Sequence, residues 1–126
     1  MKTILLSASI FAAALLFCGC ASVEVVKDQN LSGQKIANSG RTLAHIDAQN
    51  WGIYLFMIPL ITGSTDNPGS MVFLQDTVTV KNAIQMLTAK SNELKATGTY
   101  NIVTKNSTNP WFFGVKEIRV SANAVK

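Results

Sequence analysis

Apolar and polar residues along this chain alternate with different periods, and the changes of period place the elements. Over residues 41–49 the period is two: Leu43, His45 and Asp47 point one way, Ala44, Ile46 and Ala48 the other. That alternation predicts a strand with one buried face. After Gln49-Asn50 comes a continuous apolar run, Trp51 to Ile61, rich in aromatic and β-branched residues and suited to a buried strand, with Pro59 marking its end or an edge position. Gly63 to Ser70 has loop composition, and Met71 to Leu74 is a short apolar segment. From Thr79 the period becomes helical. Val80, Ala83, Ile84, Leu87, Ser91 and Leu94 share one stripe, Thr79 can cap the N-terminus, and Gly98 is the expected stop. Residues 99–105 read as a strand, Asn106 to Pro110 as a turn, and Trp111 to Ala124 as a long final strand. Its inner face is Ile118, Val120, Ala122 and Ala124. The order β-β-α-β-β predicts an α+β fold: a mainly antiparallel four-stranded sheet with one helix packed on one face.

The first 19 residues follow another pattern. One lysine, Lys2, precedes an apolar run from Ile4 to Phe17 broken only by Ser7 and Ser9. A basic start, a short apolar core and small residues before a cleavage point describe a secretory signal peptide. The run, about 14 residues, is shorter than the roughly 20 that span a bilayer. It ends in Leu16-Phe17-Cys18-Gly19-Cys20. That ending resembles the bacterial lipobox, in which a small residue precedes a cysteine that becomes acylated. The resemblance implies signal cleavage between Gly19 and Cys20 and lipidation of Cys20. Phe17 stands where the lipobox usually has leucine. By resemblance to Gram-negative lipoproteins, Ala21 and Ser22 after the cysteine imply sorting to the outer membrane, periplasm-facing, in a Gram-negative source. The expected organisation is a signal peptide over 1–19, a lipidated cysteine and tether over 20–40, and one α+β domain over 41–126. The tether is turn-rich, and Val23 and Val25, alternating with Ser22 and Glu24, are compatible with a short strand within it.

Composition changes the picture little once that segment is set aside. The whole chain of 126 residues is 48% hydrophobic and 14% charged. The part after residue 19 has the apolar content of an ordinary globular domain, which argues against disorder. Two cysteines, Cys18 and Cys20, leave no internal disulfide to the processed chain. Eleven Lys/Arg against seven Asp/Glu give a net charge of +4. The basic residues are scattered rather than striped, so no nucleic-acid footprint is expected. The expected partners are the membrane, through the lipid anchor, and a protein of the cell envelope.

A weaker resemblance runs through the body of the chain. Ala44-His45-Ile46, Asn50 to Phe56 and Ile58 to Gly63 look like stretches of small uncharacterised bacterial lipoproteins. The step Ala96-Thr97-Gly98-Thr99-Tyr100-Asn101-Ile102 is similar to TRL-like lipoproteins and to the RcsF family of envelope sensors. The sensor family's disulfide cysteines are missing here, and no functional residue carries over.

Candidate chemistry is sparse. His45 is the single histidine, and Asp47 would share its strand face. A His–Asp pair can belong to a hydrolytic triad, but no nucleophile elbow, phosphate loop or metal-ligand spacing accompanies it. No catalytic residue, metal site or cofactor is therefore expected. Trp111-Phe112-Phe113 is the candidate interaction surface, because three consecutive strand residues cannot all face a core. The leading expectation is a non-enzymatic envelope lipoprotein with a structural or protein-interaction role: an accessory subunit, assembly factor or sensor. The alternative is a domain binding a small ligand, glycan or lipid on that aromatic surface.

Overall fold

The computed structural model describes residues 20–27, 42–109 and 112–126. Six strands and one helix follow in order: β1 (Ala21–Val26), β2 (Thr42–Leu55), β3 (Ile58–Gly63), β4 (Met71–Phe73), α1 (Val80–Glu93), β5 (Gly98–Asn109) and β6 (Phe113–Val125). The strands form one antiparallel sheet, ordered β4-β3-β2-β6-β5, with β1 also paired to β2. The α+β class holds. The sheet has six strands rather than the expected four.

Strand β2 is the hub. Its alternation does not stop at Gln49 but continues, burying Ala44, Ile46, Ala48, Asn50, Gly52 and Tyr54 on one face. One edge of β2 pairs with β6 along its whole length. The other edge is shared end to end, by β1 opposite His45–Asn50 and by β3 opposite Gly52–Leu55. Residues 21–26, expected in the tether, therefore belong to the sheet, because Ala21 and Val23 find apolar cover under α1. The rest of the expected tether, 28–40, and the signal segment 1–19 with Gly19 lie outside the described residues.

Three further boundaries differ from expectation. The run 51–61 is two strands, not one: the chain reverses at Phe56-Met57 and Pro59 lies inside β3. Strand β5 extends through Asn106–Asn109, where a turn was expected. Asn109 still pairs with Val115, and the exposed polar side chains do not oppose an extended backbone. The helix ends at Glu93, before Gly98, which opens β5. Lys95 takes the left-handed conformation (φ 57°), and the Lys95 and Ala96 N–H groups donate to the carbonyls of Asn92 and Ser91. That double bond is the Schellman termination, performed without glycine.

At the other end of α1, Thr79 caps as expected, accepting from the Asn82 N–H at 3.2 Å. The buried stripe is Ala83, Met86, Leu87 and Ser91, while Val80 and Ile84 stay largely outside. It packs on Ala48, Ala122 and Ala124, all fully buried, with Ile46, Ile118 and Val120 between them. Alanine at three sheet positions lets the helix approach closely, and the larger residues fill the remaining space. Inner-face residues Ile118, Val120, Ala122 and Ala124 are where the pattern placed them.

Candidate functional site

Three places bring together residues with functional potential. The first surrounds Cys20. Its carbonyl accepts a hydrogen bond from the Trp51 N–H (2.8 Å), and the next carbonyl, of Ala21, accepts from the Gly69 N–H (2.8 Å). Cys20 is buried in the folded chain, at the seam where β1 begins and β3 ends. Gly63 closes β3 there. A Cβ on Gly63 would stand 2.5 Å from the Ala21 nitrogen and the Cys20 carbonyl carbon, so no larger residue fits without a backbone shift. Below the seam, fully buried Asn50 donates to the carbonyls of Gly63 (3.3 Å) and Thr77 (3.1 Å). Thr77 Oγ1 donates to the Gly63 carbonyl (2.6 Å), and Thr62 Oγ1 to the Gln75 carbonyl (2.8 Å). The segment before α1 is thereby tied to the point where Cys20 enters the sheet.

The second place is the pair of hairpin tips. Phe56 and Met57 form the two-residue connection between β2 and β3, both with positive φ (48° and 69°). Asn-Gly is the usual occupant of such a turn; here two bulky apolar residues hold it, both exposed. The tip of the β5–β6 hairpin lies beside it. The Phe56 N–H donates to the Phe112 carbonyl at 3.2 Å, and the two rings meet edge to face at 4.5 Å. Phe112 and Phe113 meet similarly at 5.1 Å. Of the predicted surface Trp111, Phe112, Phe113, the latter two are exposed at this tip, and Trp111 lies outside the described residues.

The third place is a cavity of about 130 Å³ beside the tips, lined by Tyr54, Met57, Asp76, Thr108, Asn109 and Lys116 among others. The Tyr54 hydroxyl donates to Asp76 Oδ1 at 2.6 Å, and Lys116 Nζ lies 3.2 Å from Asp76 Oδ2 and 5.7 Å from the Tyr54 ring centre. The Val78 N–H also donates to Asp76 (3.1 Å). Burial, then the hydrogen bond to Asp76 and that carboxylate's charge, push the Tyr54 phenol well above its usual range. Burial alone would raise the Asp76 carboxyl. The donors Tyr54, Lys116 and Val78 outweigh it and hold the group below its ordinary value. The corner is thus a fixed phenol donor, a carboxylate and an ammonium whose charges offset each other. A phenol held protonated in this way is a hydrogen-bond donor, not a base at neutral pH.

His45 and Asp47 do share a sheet face, but their partners differ. His45 Nδ1 lies 2.7 Å from Asn123 Oδ1, and Asp47 faces Arg119 Nε at 3.2 Å. Among the described residues no three His, Cys, Asp or Glu side chains gather as metal ligands would. Within the same residues no helix is long and apolar enough to cross a membrane.

No family model, curated protein or solved structure matches the chain. The fold therefore stands on its own description, an antiparallel six-stranded sheet with one helix on one face. The Tyr54–Asp76–Lys116 corner leaves no local signal in the sequence because its members are 22 and 40 residues apart. The tips did leave a signal: residues 51–65 and 106–115 carry no charged side chain.

Proposed function

We propose that this chain is a lipid-anchored lipoprotein of the cell envelope, attached through Cys20, with a non-enzymatic structural or protein-interaction role. In a Gram-negative source it faces the periplasm from the outer membrane. The observation that carries the reading is the apolar segment 1–19 ending in Gly19-Cys20, directly before the first strand at Ala21. Cleavage ahead of Cys20 leaves every described element intact.

Mass spectrometry of the processed N-terminus tests this. An acylated Cys20, and loss of membrane fractionation in Cys20→Ser, are the expected results. An unmodified cysteine or cleavage elsewhere overturns the reading. Crosslinking in the native membrane followed by purification then tests for an envelope protein partner.

The cavity between Tyr54, Met57 and Lys116 favours a second reading, a domain that binds a small ligand, glycan or lipid at the aromatic end. Saturable binding that is lost in Trp111→Ala and in Met57→Ala supports it. Binding unchanged in both variants removes it.

A further inference from the structure

We propose that the two hairpin tips, Phe56-Met57 with Ile58 and Phe112-Phe113, rest in the lipid interface beside the anchor, as a second membrane contact. The proposal rests on acylation of Cys20 as read above.

Three lines of observation carry it, the first being the exposure, contact and composition of the tips. The five side chains are between 56% and 67% exposed, and they sit together at one end of the sheet. The Phe56–Phe112 backbone bond and ring contact make the two tips one unit. Both hairpins are without charge over 51–65 and 106–115, so the tips themselves carry no ion into the interface, and the nearest charges, Asp76 and Lys116 in the cavity that Met57 lines, are paired with each other.

The backbone of the first tip supplies the second observation. Phe56 and Met57 occupy left-handed positions that bulky side chains rarely adopt and that Asn-Gly would fill without strain. In water this choice costs stability, and the one contact it gains is the Phe56 ring on Phe112, itself exposed. Strain of this kind points from an observed outlier to a role, and a lipid phase rewards apolar side chains at this spot.

The third observation names the occupant. Cys20 is level with Trp51 on β2, on the half of the sheet that leads to the tips. From Trp51 to Phe56 is five residues, about 17 Å of strand. Apolar groups of interfacial proteins enter the headgroup boundary by about 5–10 Å. Tips at that depth leave Cys20 about 10 Å from the boundary with the strands upright, and closer when they incline. The glyceryl group of an acylated cysteine covers the shorter distance that inclined strands leave. Anchor and tips therefore engage one surface, whereas the far end of the sheet, at Thr97 and Val125, points away from it.

The test uses the full chain, processed and purified from membranes, in vesicles of phosphatidylethanolamine and phosphatidylglycerol. Met57→Cys and, separately, Phe113→Cys take an environment-sensitive fluorophore, and Asn92→Cys on the exposed C-terminal turn of α1 is the control. Spin-labelled phospholipid should quench the first two by about twofold or more and leave the third unchanged. Water-like, unquenched emission at both tips beside an acylated Cys20 overturns the tip contact and leaves the anchor standing. A blue shift without lipid quenching means that protein, a second copy or a partner, covers the tips, and it also overturns the proposal. An unmodified Cys20 in the same preparation overturns the anchor reading and the orientation derived from it.

Discussion

The backbone N–H of Trp51 donates to the carbonyl of Cys20 at 2.8 Å, which places the proposed attachment point within the sheet instead of at the end of a tether. β1 begins and β3 ends beside each other along β2, and Gly63 and Asn50 pack around that seam.

Gly63→Ala tests the seam directly. The added Cβ would collide with backbone atoms of Cys20 and Ala21 and with Oδ1 of Asn50, none of which is the loose end of a long side chain. Overpacking of this kind costs about 3 kcal/mol, read as a lowered midpoint in urea unfolding. A midpoint unchanged from the parent would show that the seam opens readily.

Asn50 gives a graded result at the same place. Asn50→Ala removes two donors to buried carbonyls and leaves a small void, an expected loss of about 2 kcal/mol. Asn50→Asp should be worse, because a carboxylate would face the Gly63 and Thr77 carbonyls in place of a donor. Thermal unfolding of the two variants side by side checks the order.

Tyr54→Phe removes the 2.6 Å bond to Asp76 and should cost about 1 kcal/mol near neutral pH. The pH dependence has a definite sign at each limb. The folded Tyr54 pKa is raised above its ordinary 10.0, so its contribution is full below pH 10 and fades as pH rises toward the higher folded value. The folded Asp76 pKa is lowered below 3.8, so its contribution is present above that value and fades as pH falls through the lower folded one. Melting temperatures across pH should therefore lose part of the alkaline slope in Tyr54→Phe and part of the acid slope in Asp76→Asn.

Met57→Gly should stabilise the chain in water by about 1 kcal/mol, since glycine takes a φ of 69° without steric cost. Phe56→Asn relaxes the neighbouring residue but forfeits the ring contact with Phe112, and should be close to neutral. Differential scanning calorimetry checks both. A Met57→Gly variant that melts higher but shows weaker lipid quenching at Phe113 would separate the stability of the turn from its use.

The α+β class, the β2 alternation from Ala44 to Ala48, the Thr79 cap and the inner face of β6 were all legible in the residues, because each is written in local period or capping chemistry. The turn at Phe56-Met57 was not. Its residues are apolar and bulky, and the turn signals that mark a hairpin are missing. The far half of strand β5 is not legible in the sequence because polar residues on both faces carry no alternation; its extent is set by the partner β6. Lys95 ends the helix in place of glycine because the two backbone hydrogen bonds of the Schellman turn form once the chain leaves toward β5.

Sequence by itself determined the expectation of an export signal and an anchoring cysteine, the helix with its cap, and the buried faces of β2 and β6. These follow from hydrophobicity and spacing among neighbours along the chain. Tertiary structure alone decided that Cys20 lies at a seam beside the sheet's first strand, that Tyr54, Asp76 and Lys116 share a corner, and that two uncharged hairpin tips meet at one end of the sheet. Those relations depend on strand register between residues tens of positions apart, which the pairing of β2 with both β3 and β6 sets and no local pattern encodes.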